Sequence, residues 1–267
     1  MTAIPCWIIS LNPESASSLT LSQALSAQSV AHEFFPAVDG RKGMPLLQGR
    51  EHLDARKSLL RHRRLLNGAE IGCYLAHYRA VSKAWEAGLE RICIIEDDVM
   101  PESAFAATLT ALEKLPADVE MVRLMALRIR RRKRLSLLPG LGSHHLVRPE
   151  RGWCGTQGYV LNRRGMEKIL ERGWNIFEPI DKFYDHFWEY GLRQFGVEPH
   201  VLYEIEHPSS IRKTPASVHI PLLLRLLAPF HKAAFSRSRH RYLKGHADEF
   251  YPAEWPTERM GRTKRMK

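Results

Sequence analysis

Three consecutive carboxylates, Glu96, Asp97 and Asp98, close the apolar run Ile92-Cys93-Ile94-Ile95. Side by side their charges repel, a cost that a cation among them removes. Hard oxygen ligands of this kind suit Mg²⁺ or Mn²⁺, above all where substrate phosphates complete the coordination shell. An ion held there can stabilise negative charge on a departing phosphate. The same triplet would also serve as a solvated acidic turn capping a following helix, with Glu102 and Ser103 in its first turn.

The elements around the triplet place it where a ligand site belongs. The run Ile92 to Ile95 has β-branched residues at three of its four positions and reads as a buried strand, which Pro101 keeps from continuing. In open α/β sheets, ligands bind just outside the carboxyl ends of strands. Earlier, Cys6 to Leu11 reads as a first strand ended by Asn12-Pro13, Ser15 to Ser29 as a helix, and His32 to Val38 as a second strand closed by Asp39-Gly40. Strand, helix, strand is the opening of a nucleotide-binding βαβ unit. Arg41 to Asn67 is polar and basic and reads as a loop followed by a helix. Glu70 to Ala87 has Ile71, Tyr74, Leu75, Tyr78, Val81 and Trp85 at helical spacing. Beyond the triplet, helices are expected over Glu102–Leu115 and Arg163–Leu170, and strands over Val119–Leu124, Thr156–Leu161 and His200–Ile205. Between them, Arg128 to Arg134 crowds six cations around Ile129 and reads as a loop, equally suited to an anionic ligand or to water.

Composition narrows the class. A chain of 267 residues, 44% apolar and 26% charged, is that of an ordinary globular protein with one large α/β domain or two small ones. The formal net charge of +11 points to an anionic partner: nucleotide, phosphorylated glycolipid, membrane surface or nucleic acid. Cys6, Cys73, Cys93 and Cys154 are widely spaced, so neither a zinc motif nor a disulfide framework is expected, and a reducing cytosol fits. No secretory leader and no membrane-spanning run is expected.

Two blocks at their spacing, Glu70-Ile71-Gly72-Cys73 with His77, then the strand ending in Glu96-Asp97-Asp98, resemble glycosyltransferase family 25, the lipooligosaccharide galactosyltransferases and their collagen-modifying relatives. Further matches are the strand ending at Leu11-Asn12, Ala37-Val38-Asp39-Gly40, the Gly155, Gly158, Tyr159, Gly165 set, and Pro179-Ile180-Asp181. The resemblance spans about residues 5 to 212. It implies an α/β protein of the GT-A type, the nucleotide-diphospho-sugar transferase fold, with a mixed, mostly parallel sheet flanked by helices. A catalytic domain over 1–215 is expected from it, while residues 216–267, outside the resemblance, read from their own leucines and cations as a basic amphipathic tail. Leu11, Asn12, Asp39, Glu70, Gly72 and His77 would then line the donor pocket, Gly72 by letting backbone approach a ligand, while Glu70 near a helix N-terminus would equally serve as a cap. Glu96 and Asp97 would face the nucleoside and Asp98 the metal, with His207 as a second ligand. The chain departs from the family at the first helix, where arginines give way to Pro13-Glu14-Ser15-Ala16-Ser17-Ser18.

Such an enzyme must remove a proton from the acceptor hydroxyl as it attacks, and with inversion one carboxylate suffices. Asp181 is the candidate, with Asp185 one helical turn later as second choice; as an N-cap, Asp181 would merely start a helix. The expected activity is transfer of a hexose, galactose by resemblance, from a UDP-sugar donor to a glycolipid saccharide of lipopolysaccharide, with Mn²⁺ or Mg²⁺ as cofactor. A phosphohydrolase or nucleotidyltransferase could also use an acidic strand end, and an inactive family member is a third reading. Nucleic acid is not expected, because the Arg128–Arg134 run has no interleaved aromatic residue. In the tail, Leu222, Leu223, Leu224, Leu226, Leu227, Phe230 and Phe235 with flanking cations suit a helix lying on an anionic membrane surface, on the inner face of the cytoplasmic membrane, or one packed on the domain.

Overall fold

The computed structural model describes residues 4–128, 131–205 and 220–252. In chain order the elements are β1 (Cys6–Ser10), α1 (Ala16–Ala27), β2 (His32–Pro36), β3 (His52–Leu53), α2 (Ala55–His62), α3 (Gly68–Glu86), β4 (Arg91–Glu96), β5 (Val99–Pro101), α4 (Phe105–Glu113) and β6 (Met121–Arg123). They continue with β7 (Arg132–Leu137), β8 (His145–Pro149), β9 (Gly158–Asn162), α5 (Arg163–Gly173), β10 (Asn175–Ile176), α6 (Ile180–Asp185), β11 (Gln194–Glu198), β12 (Leu202–Glu204), α7 (Leu222–Gly245) and α8 (Ala247–Phe250).

Eight strands form one sheet in the order β2-β1-β4-β9-β6-β11-β8-β7. Only β9 and β8 run against the other six, so the sheet is mixed with most strands pointing one way. Side chains alternate between two buried clusters. Trp7, Ile9, Ile92 and Ile94 pack against α3, α5 and α6, while Cys6, Ile8, Cys93 and Ile95 pack under α1 and α4. A strand covered on both faces carries an unbroken apolar run, which is why β1 and β4 stand out in the sequence.

This arrangement brings the carboxyl ends of β1 and β4 together. Their register pairs Ile9 with Glu96, so the first loop of the chain lies beside the acidic triplet. The short strand β5 leaves the triplet at once and pairs with β12, which sets Glu204 opposite Val99. The backbone N–H of Ile205 donates to the carbonyl of Asp98 at 2.7 Å and pins that turn.

One expectation changes. Arg132 to Leu137 is an edge strand, hairpinned with β8, where a loop was expected. Its cations have a buried destination: Arg132 donates twice to Glu198, at 2.9 and 2.6 Å, and Arg134 once at 3.0 Å. A carboxylate two strands away turns a solvated-looking run into sheet. The tail, expected to lie either on a membrane surface or packed on the domain, divides between the two. Leu243 and Phe250 enter the main buried cluster, and Phe235 packs between the Arg61 guanidinium and the rings of His186 and Trp188. The first turns of α7 instead expose Leu222, Leu223, Leu226 and Phe230, each more than half accessible. Among the described residues no helix is long and apolar enough to cross a membrane.

Candidate active site

A cleft of about 740 Å³, open solvent at its mouth included, lies at the carboxyl ends of β1 and β4 against the N-terminal half of α3. Its walls include Leu11, Asp39, Arg41, Gly72, Cys73, His77 and all three carboxylates of the triplet.

The three acids have different surroundings. Glu96 accepts hydrogen bonds from Thr156 Oγ1 and, at 3.1 Å, from His77 Nε2. Burial works against its ionisation, but these bonds and the Arg123 charge outweigh it and hold the carboxyl below its ordinary range. Asp97 accepts from Ser10 Oγ at 2.5 Å and from Ser18 Oγ at 3.1 Å. Ser18 lies in the first turn of α1, capped by Ser15. Ser18, in the serine-rich start of α1, therefore helps to orient Asp97.

Asp98 differs from both. Its Oδ1 is buried with no hydrogen-bond partner among the described residues, and burial, then the charges of Glu96, Glu204 and Asp97, push the carboxyl up to about 8. An orphaned buried oxygen among three other carboxylates is the environment a divalent cation relieves. The residues present thus fit a hard ion at Asp98. Glu204, which the sequence reading missed, reaches the same place only because β12 pairs with β5.

Other expected donor residues divide. Leu11 is exposed at the mouth of the cleft, and Asp39 is on its wall, held well below the usual carboxylate range by the Arg41 side chain that grips both its oxygens. Asn12 is not a wall residue; its side chain accepts from Glu14 N–H, and its carbonyl from Ser15 and Ser18. Glu70 is also off the wall. It completes a capping box with Asn67 and is gripped by Arg64 at 2.7 and 2.6 Å, a structural use of the carboxylate at a helix start. Gly72 has a different reason from the one expected. The backbone it admits is the chain's own: a Cβ there would sit 2.4 Å from the Val38 carbonyl and 2.9 Å from the Gly40 N–H. Gly72→Ala is accordingly expected to push the Asp39–Arg41 wall outward and cost about 1–3 kcal/mol, read as a lowered melting temperature. His77 is buried and orients Glu96; its Nδ1 meets Tyr159 Oη at 2.9 Å, and that hydroxyl meets Tyr184 Oη at 3.1 Å.

Asp181 opens α6 and is partly exposed, and its charge reaches both the Cys73 thiol and Arg64 on the α3 side. Asp185 is not suited to be a base. It is buried, accepts from the Cys154 N–H at 3.2–3.3 Å and faces Arg123 at 3.9 Å. One turn along a six-residue helix carries its side chain from the surface to the interior. His207 lies outside the described residues. Sequence reasoning also missed Thr156 and Arg123. The sign of Arg123 was a lone cation ending an apolar strand.

The sequence model of glycosyltransferase family 25, described as an LPS biosynthesis protein family, matches residues 3–184. Similar curated proteins include a procollagen galactosyltransferase 1 of Danio rerio, 26% identical over 208 residues, covering 68% of this chain and 33% of the relative. A procollagen galactosyltransferase 1-B of Xenopus laevis is 32% identical over 161 residues, covering 53% of this chain and 26% of the relative. An inactive glycosyltransferase 25 family member 3 of Homo sapiens is 30% identical over 159 residues, covering 51% and 25%. The chain thus spans a third or less of the length of these relatives. Among solved structures, a glycosyltransferase involved in glycosylation of the major capsid of PBCV-1 aligns with a TM-score of 0.41 at 10% identity, covering 78% of this chain and 94% of that one.

Proposed function

The chain belongs to glycosyltransferase family 25, and on that premise we propose that it transfers a hexose, galactose from UDP-galactose, to a saccharide acceptor on a lipopolysaccharide-type glycolipid. The observation that carries this reading is the buried oxygen of Asp98, without a hydrogen-bond partner among the described residues, at the strand end that forms the cleft floor. Asp98 would hold Mn²⁺ or Mg²⁺, which supplies charge stabilisation to the leaving diphosphate. Glu96 and Asp97, fixed in place by His77, Thr156, Ser10 and Ser18, would take the hydroxyls and base of the nucleoside. Arg41 stands on the same wall and offers a cation to the phosphates. Asp181 would accept the proton of the acceptor hydroxyl, with inversion at the sugar. The alternative of an inactive member, raised by the inactive relative, meets an intact acidic triplet here. Incubation with Mn²⁺ and a panel of UDP- and GDP-sugars decides the donor: slow hydrolysis of UDP-galactose is expected, and hydrolysis of none would favour the inactive reading.

The acceptor reading includes the inner face of the cytoplasmic membrane. Leu222, Leu223, Leu226 and Phe230 face solvent, with Arg225 and Lys232 on the same helix and Arg237 and Arg241 beyond. Short apolar faces beside cations bind anionic lipid, at roughly 1 kcal/mol per cation. Because Leu243 and Phe250 are core, deletion of the tail is the wrong test. Instead, Leu223→Asp with Leu226→Asp should abolish co-sedimentation with phosphatidylglycerol vesicles and leave the melting temperature unchanged. Wild-type protein that ignores such vesicles even at low salt would contradict the membrane reading.

A further inference from the structure

On the wall of the cleft, Cys73 Sγ, His77 and Glu96 offer one ligand atom each, all within 4.8 Å of one another. Cys73 and His77 are one turn apart on α3 and so share a face, and Glu96 ends β4 opposite them. We propose that these three side chains form a second cation site, selective for a borderline-soft divalent ion of the zinc class and distinct from the hard-ion position at Asp98.

The donor set makes the distinction. Thiolate and imidazole are poor ligands for Mg²⁺ or Mn²⁺ but suit Zn²⁺, whereas the charges that press on Asp98 are those of the carboxylates Glu96, Glu204 and Asp97. A tetrahedral zinc ion with ordinary bond lengths holds its ligand atoms about 3.3–3.8 Å apart, within a small side-chain rotation of the separations present. A fourth position would face the cleft and water. Burial first, and then the carboxylates of Glu96, Asp181 and Asp98, push the Cys73 thiol up, so an ion there has to displace its proton; the same carboxylates attract a cation to the spot.

The hydrogen bonds behind His77 form a ready outer shell. Nε2 must give its lone pair to the metal, so the ring proton must reside on Nδ1 and point at Tyr159 Oη, 2.9 Å away. Tyr159 can accept it by turning its own O–H toward Tyr184 Oη at 3.1 Å. Either tautomer of His77 is therefore satisfied, one with Nε2–H donating to Glu96 and the other with Nε2 on a metal. Binding forms the metal–sulfur bond and releases the Cys73 thiol proton to water. The comparable cluster of Glu178, His186 and Glu189 has no such opening, because the Arg61 guanidinium already donates to Glu189 at 2.7 Å twice.

Cobalt(II) reads the site without reference to any sugar nucleotide, so failure of the transferase reading would leave the outcome unchanged. Titration of the full chain with Co²⁺ should give a thiolate-to-metal charge-transfer band and strong tetrahedral visible bands, bleached by Zn²⁺ and not by excess Mg²⁺. Cys73→Ser should lose the charge-transfer band. Absence of that band in wild type, or its survival in Cys73→Ser, overturns the site. A second measurement needs no variant. Zn²⁺ should shield Cys73 from iodoacetamide, located by peptide mass spectrometry, and equal alkylation with and without Zn²⁺ would overturn the proposal.

Discussion

Asp98→Asn is expected to remove the Mn²⁺-dependent part of UDP binding and to lower sugar transfer about a hundred- to a thousandfold, the scale on which a single charge-stabilising group acts. An amide can neither neutralise the ion nor be neutralised by it. The fold should not suffer: in the absence of metal, burial and the acidic neighbours keep this carboxyl protonated, so the substitution exchanges one neutral group for another and the melting temperature should hold. The wild-type carboxyl, pushed up to about 8, keeps its proton until a cation displaces it. Metal affinity should therefore climb with pH and level off above about 8, and in Asp98→Asn that climb should be gone. Calorimetry on both proteins measures it. An Asp98→Asn protein that keeps its metal-dependent affinity would move the ion elsewhere in the cleft.

The second large effect concerns the acceptor side. Asp181→Asn should lower kcat about a hundred- to ten-thousandfold while UDP-galactose affinity stays near wild type, because a general base contributes mainly in the transition state. Asp185→Asn should behave in the opposite way. Its carboxylate faces Arg123 and accepts from the Cys154 backbone, so substitution would disturb the fold before the chemistry. Steady-state kinetics beside thermal melts separates the two, and a near wild-type rate in Asp181→Asn would remove the base assignment.

Asp181 and Asp185 also show where sequence reading stops. Their spacing announces a helix with two acids one turn apart, but not which of them meets solvent. That depends on Arg123 and the Cys154 turn, distant in the chain. The strands β1 and β4 were legible because both faces are buried and their apolar runs need no partner to be recognised. The α3 helix was legible from its periodicity, but whether Glu70 at its start caps the helix or meets a ligand depends on Arg64 and Asn67, which occupy it. Ser10 and Ser18 carry no local signal at all; only the parallel pairing of β1 with β4 gives them Asp97 to hold. The β7–β8 hairpin was hidden for a similar reason, since Glu198 lies more than sixty residues away from the arginines it neutralises. Acidic residues at strand ends declare a site, while their individual duties are set by neighbours that only the fold supplies.

The claim on which the rest depends is that the cleft binds nucleotide and metal together. Titration of the wild-type chain with UDP, once with Mn²⁺ and once with chelator, tests it most directly. The account predicts affinity that rises sharply when Mn²⁺ is present; UDP binding of equal strength in both titrations would contradict it.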